Sequence, residues 1–196
     1  MKHLLDPCPC LSKMKMLSRR QTQQRADFGL EALKKRYPVA KTMLVHATPW
    51  QLLVATVLSA QCTDARVNGI TPEFFRRWPD PAQLAGQTPK DVEDVIRSAG
   101  FYHAKAKNLL AAARFVLENC DGEVPCSIEQ LVRIPGVARK TANVVLWGAF
   151  GINQGIAVDT HVKRISFRLG LTINTDPVKI ERDLVGLFPQ EEWGNV

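Results

Sequence analysis

The stretch Ile134-Pro135-Gly136-Val137-Ala138-Arg139-Lys140-Thr141-Ala142-Asn143-Val144-Val145-Leu146, answered further on by Val158-Asp159-Thr160-His161, decides how this chain is read. Its pattern is helix, tight glycine turn, helix, then a short loop that delivers a carboxylate. Ser127 and Gln130 form an S-x-x-Q signal that starts the first helix. Pro135-Gly136 stops it, because proline cannot continue a helix and glycine accepts a left-handed turn. Arg139 opens the second helix, whose first-turn N–H groups lack internal partners and so present donors to an anion. Arg133, Arg139, Lys140, Lys163, Arg164 and Arg168 surround the stretch, and Asp159 is the only acid between residues 131 and 170. A phosphate partner fits that charge.

Composition sets the outer bounds. A chain of 196 residues builds one domain or two small lobes with a true core. The net charge of +7 favours an acidic partner such as nucleic acid. The five cysteines, Cys8, Cys10, Cys62, Cys120 and Cys126, are odd in number, scattered and free of any C-x-x-C pair. They read as reduced cytosolic thiols rather than a disulfide framework or a zinc site. Asp6 and Pro7 interrupt the start before a signal-peptide core develops. The most apolar segment, 143–158, is broken by Gly148, Gly151, Asn153, Gln154 and Gly155, so no membrane span is expected.

Outward from the central stretch the chain reads as helix after helix. Residues 1–20 are expected to be a disordered basic tail, followed by a helix from about Gln21 to Arg36. Thr48-Pro49, Asp80-Pro81, Thr88-Pro89 and Asp176-Pro177 each pair an N-cap residue with proline at the first helical position. The helix after Thr48 is apolar nearly all round and is expected at the centre. Ala106, Leu109, Leu110, Ala113, Val116 and Leu117 give residues 103–119 the clearest amphipathic pattern, with Gly122 as its stop. No alternating strand pattern or internal repeat appears, so the fold class is all-α.

Lys140 and Asp159 carry the possible chemistry. A neutral lysine amine forms Schiff bases with aldehydes. Keeping it neutral at pH 7 takes about 4–5 kcal/mol, far beyond the ~0.3–1 kcal/mol a helix dipole supplies. An aspartate opposite it would accept the lysine proton or stabilise a developing cation. On spacing alone the plainer reading is favoured, a phosphate-binding lysine and an aspartate capping a helix at Thr160.

The run IPGVARKTANVVL followed by AVDTH resembles the helix-hairpin-helix and Gly/Pro-Asp segment of the DNA glycosylase superfamily, in its endonuclease III branch. The resemblance continues through LLVATVLSAQCTD at 52–64 and GFYHAKAKNL at 100–109, and covers roughly residues 28–193. It implies base-excision repair of double-stranded DNA that carries damaged pyrimidines or abasic sites, by a cytoplasmic, nucleoid-associated monomer. Lys140 falls on the family's catalytic lysine and Asp159 on its catalytic aspartate. Pro135, Gly136, Val137, Ala138 and Arg139 match the hairpin that holds phosphate without reading sequence. Gln61 falls where a residue enters the duplex as a nucleotide is flipped out. Phe101 falls on an apolar wedge, usually leucine, though a core phenylalanine at a helix start is an equal reading of the residue itself. His161 is a further DNA-facing candidate, with a structural role the plainer alternative.

Two departures stand out. Ala138 replaces the usual second hairpin glycine, so the turn must avoid positive φ there or carry strain. The family's closing C-x6-C-x2-C-x5-C, which ligates a 4Fe-4S cluster, has no counterpart, so this chain is expected to hold no cofactor and no metal. The implied fold has two lobes with DNA between them. Residues 42–152 form a six-helix lobe ending in the hairpin, and 21–41 with 153–196 form an incomplete second lobe, truncated in its last helices. Apolar residues that would face those helices are expected to be exposed. The rival reading is a truncated helix-hairpin-helix DNA-binding protein with weak or no turnover.

Overall fold

The computed structural model describes residues 17–196. Cys8 and Cys10, and the expected tail over residues 1–16, lie outside the described residues. Ten α-helices follow one another, with no strand among the described residues. They are α1 (Arg19–Arg36), α2 (Pro49–Ser59), α3 (Asp64–Arg77), α4 (Pro81–Ala85), α5 (Pro89–Ile96), α6 (Tyr102–Asn119), α7 (Ile128–Leu131), α8 (Arg139–Phe150), α9 (Thr160–Leu169) and α10 (Pro177–Val185). A 3₁₀ turn at Gln190–Glu192 follows.

The cap signals act as the residue chemistry dictates. Thr48, Asp80, Thr88 and Asp176 each accept a hydrogen bond from the backbone N–H three residues on, with proline at the first or second helical position. The first helix begins at Arg19, two residues before the expected start, because Ser18 and Gln21 close a full capping box. One helix was not expected. Thr63 caps α3, whose pattern is obscured in the sequence by Gly69 and by Pro72 inside it. Pro72 removes one helical donor, yet α3 persists because Val67, Ile70 and Phe74 bury its inner face.

Helix α2 is central. Leu52, Leu53, Val54, Ala55 and Leu58 are buried around its whole circumference. It packs against α3, α6 and α8. This main core runs from Leu44 to Leu146 and also takes in Phe74, Leu84, Ile96, Leu109 and Leu131. A separate small core collects Ala26 of α1, Ile156, Val158 and Leu171, and Ile180, Leu184 and Phe188 around α10. Helix α8 belongs to the main core and α9 starts just after Val158 of the small one. Along α1 and α9, Phe28, Ile165 and Leu169 stand exposed beside an apolar groove of about 770 Å³.

Candidate active site

The hairpin is a type II turn. Val137 N–H donates to the Ile134 carbonyl at 3.0 Å, with Pro135 and Gly136 as the central pair and Gly136 at φ +81°. Glycine is required twice over, since a Cβ there would also come within 2.8 Å of the Asn108 side chain on α6. The turn therefore lies directly on α6. Ala138 adopts φ −82°, ψ 166°, an extended conformation open to any residue. Alanine at this position therefore carries no left-handed strain.

Ala138 is the N-cap of α8 and offers no side-chain hydrogen bond. Of the ten helices, only α6 and α8 begin without a side-chain cap. Helix starts left open in this way keep their N–H groups for an outside acceptor. Arg139, beside them, points its guanidinium elsewhere: its Nε donates to Glu181 Oε2 of α10 at 2.5 Å. Glu181 is buried while Arg139 remains about half exposed.

Lys140 lies in the first turn of α8, partly buried, and lines a cavity of about 710 Å³. Asn143 and Trp147 of α8, Asp64 of α3 and His46 border the same space. Asp159 is the N-cap of α9, and its Oδ1 accepts from the N–H groups of His161 at 2.8 Å and Val162 at 2.9 Å. The capping role and any chemical role thus share one carboxylate, whose second oxygen takes no hydrogen bond from the described residues. Neither Lys140 nor Asp159 takes part in an ion pair among the described residues.

A buried network joins the helix that carries Lys140 to the segment that leads into Asp159. Asn143, one turn after Lys140, donates through Nδ2 to Glu181 Oε1 at 3.0 Å and to the Ile156 carbonyl at 3.2 Å. Asp159 follows Ile156 by three residues, a reach of at most about 11 Å. Gly155 completes the junction: a Cβ there would overlap Glu181 Oε1 and Asn143. No sequence motif marks the partnership of Glu181 with Asn143. Glu181 is 42 residues from Arg139, and its only signal is an acid on the inner face of an amphipathic helix.

Gln61 and Phe101 occupy neighbouring turns. Both have left-handed backbones, φ 52° and φ 57°, and both are exposed. Phe101 is 68% exposed, so it is not a core residue. His161 faces the α1–α9 groove, and its Nδ1 lies 3.1 Å from Arg164 Nη2.

The described cysteines are three free thiols, at the turn after α2, the end of α6 and the loop before α7. No three His, Cys, Asp or Glu side chains gather as a metal site among the described residues. They offer no ligand set for the 4Fe-4S cluster of the family. No described helix is long and apolar enough to cross a membrane.

An all-helical fold, an uncapped helix start behind a Pro-Gly turn and a lysine on a cavity define a class, and a family comparison identifies it. Residues 54–190 match the HhH-GPD superfamily of base excision DNA repair proteins, and the chain belongs to that family. Within it the chain is endonuclease III-like, a DNA glycosylase and abasic-site lyase of base excision repair. It is 57% identical to endonuclease III of Synechocystis over 88% of this chain and 79% of that protein. It is 42% identical to endonuclease III of Bacillus subtilis over 87% of this chain and 78% of that one. Among solved structures, a trapped endonuclease III–DNA covalent intermediate is similar with a TM-score of 0.85 and 40% identity, over 91% of this chain and 82% of that one.

Proposed function

We propose that the chain removes oxidised pyrimidines from duplex DNA and then cuts the strand at the abasic site, with Lys140 as nucleophile and Asp159 as its acid–base and electrostatic partner. The observation that carries this reading is Lys140 itself, on a cavity large enough for a nucleotide, at a helix start whose N–H groups are uncapped. That a similar endonuclease III has been trapped covalently on DNA supports it.

The neutral Lys140 amine attacks C1′ of the damaged nucleotide, and the base leaves with the electrons of the glycosidic bond and takes up a proton. Asp159 accepts the proton the lysine sheds. It also faces the positive charge that develops on the sugar, an interaction worth up to ~4 kcal/mol at 4 Å and an effective dielectric of 20. Ring opening gives a Schiff base, loss of a C2′ proton expels the 3′ phosphate, and water releases the lysine. The turn from Pro135 to Ala138 and the start of α8 hold a backbone phosphate through N–H groups. Gln61 and Phe101 enter the stack as the nucleotide leaves it, offsetting a few kcal/mol of unstacking. Arg139 anchors the start of α8 to Glu181 of α10 and offers its half-exposed guanidinium to the DNA backbone beyond the hairpin, and His161 braces the Asp159 turn through its backbone N–H. The site of action is nucleoid DNA in the cytoplasm, and the working unit is a monomer.

Product analysis tests the reaction. An abasic duplex should be cut by β-elimination, leaving a 3′ unsaturated aldehyde, with the same yield in the presence of a chelator. Binding of that duplex without cutting would instead mark a DNA-binding protein that has lost turnover.

A further inference from the structure

Lys105 lies in the first turn of α6, four residues after Phe101, and is only 5% exposed. Its ammonium donates to the Leu58 carbonyl at 2.8 Å. Leu58 is the penultimate residue of α2, so this carbonyl has no partner within its own helix. Gln61 follows three residues later. A single buried bond therefore ties the helix that ends before Gln61 to the helix that begins after Phe101.

A buried ammonium is a costly choice at this place. The N-terminal dipole of α6 opposes a positive charge, and burial pushes the Lys105 pKa down. A methionine would fill the same volume with neither penalty. The turns on both sides hold non-glycine residues in the left-handed region, which persists where the surroundings over-determine it. They also touch directly: a Cβ on Gly100 would lie 3.4 Å from the Gln61 carbonyl oxygen. On the far side of the wedge, His103 Nδ1 lies 2.9 Å from Glu93 Oε1 of α5, but at the surface. Lys105 is the buried one of the two fastenings.

We propose that Lys105 is a positioning residue that makes the Gln61 and Phe101 turns one rigid insertion unit, so that both side chains enter the gap left by an extruded nucleotide together. The inference rests on the duplex-entry roles proposed above for Gln61 and Phe101. Without the bond, water takes the Leu58 carbonyl and each turn relaxes independently.

The test measures two reactions. One is single-turnover base release from a duplex carrying 5-hydroxyuracil. The other is borohydride trapping on an abasic site in a single strand, where no nucleotide has to be extruded. Lys105→Met is expected to slow the duplex reaction by about tenfold, equivalent to ~1.4 kcal/mol of barrier, and to leave single-strand trapping within about twofold. In that background Gln61→Ala or Phe101→Ala adds less than about twofold, because the alignment they exploit is already lost. Losses that multiply, or a fall in single-strand trapping equal to the fall on duplex, would overturn the inference and leave Lys105 as a cap of α2. A second measurement leaves the core untouched: in the otherwise unaltered protein, Gln61→Ala with Phe101→Ala should lose little more than the worse single change. Multiplied losses there count equally against a unit. No trapping by the unaltered protein would overturn the catalytic reading itself, and the inference with it.

Discussion

The two cores of this protein differ in depth, and the proposed active site draws on both. The main core wraps the predominantly apolar α2 and continues through α3 to α8. The small core rests on Ala26, Ile156, Val158, Leu171, Ile180, Leu184 and Phe188. Lys140 is carried by a helix of the first and Asp159 by a helix of the second. The proposed nucleophile therefore sits on the well-packed side and its proposed carboxylate partner on the thinly packed one. Exposed Phe28, Ile165 and Leu169 along α1 and α9 show the same contrast at the surface. Catalytic geometry is expected to fail when the small core loosens, before the main core melts.

The largest expected effect leaves both cores intact. Lys140→Gln should lower strand cleavage by roughly a thousandfold or more while leaving thermal stability nearly unchanged, as the side chain makes no ion pair among the described residues and is only partly buried. Leu184→Ala in the small core should cost about 2–4 kcal/mol and depress activity at temperatures where far-ultraviolet circular dichroism still reports a folded main core. Leu53→Ala in the main core should cost a similar amount, but its loss of activity should coincide with global unfolding. Coincident transitions in both variants would erase the contrast between the cores. Glu181→Gln tests the junction. Removing the buried carboxylate's charge leaves Arg139 half-solvated, so a cost of about 1–3 kcal/mol is expected, with cleavage falling more than single-strand DNA binding. The smallest effect belongs to Ala138→Gly, which should destabilise by less than about 1 kcal/mol, because the position is extended and glycine only adds chain entropy.

The helix starts were the most legible part of the chain, since Thr48, Asp80, Thr88 and Asp176 make bonds to residues three positions away. Local chemistry decides such contacts, and a sequence displays it. The hairpin was legible for the same reason, and the structure settles Ala138 by giving it an extended backbone. Helix α3 is hidden in the sequence because Gly69 and Pro72 mask a periodicity that tertiary burial of Val67, Ile70 and Phe74 restores. The left-handed backbones of Gln61 and Phe101 were invisible, because neither residue type announces positive φ. The junction of Arg139, Asn143 and Glu181 was equally hidden: it is long-range, and each partner taken alone looks like an ordinary surface or helix residue. In the sequence Asp159 is compatible with a cap or with a chemical group, and it caps α9 through one oxygen while the other stays free of hydrogen bonds from the described residues.

The amine of Lys140 is proposed to form the covalent bond to DNA. Incubating the unaltered protein with an abasic duplex, reducing with borohydride and mapping the adduct by peptide mass spectrometry addresses it directly. One adduct is expected, on Lys140, lost in Lys140→Gln. An adduct on another residue, or one that survives the substitution, would contradict it.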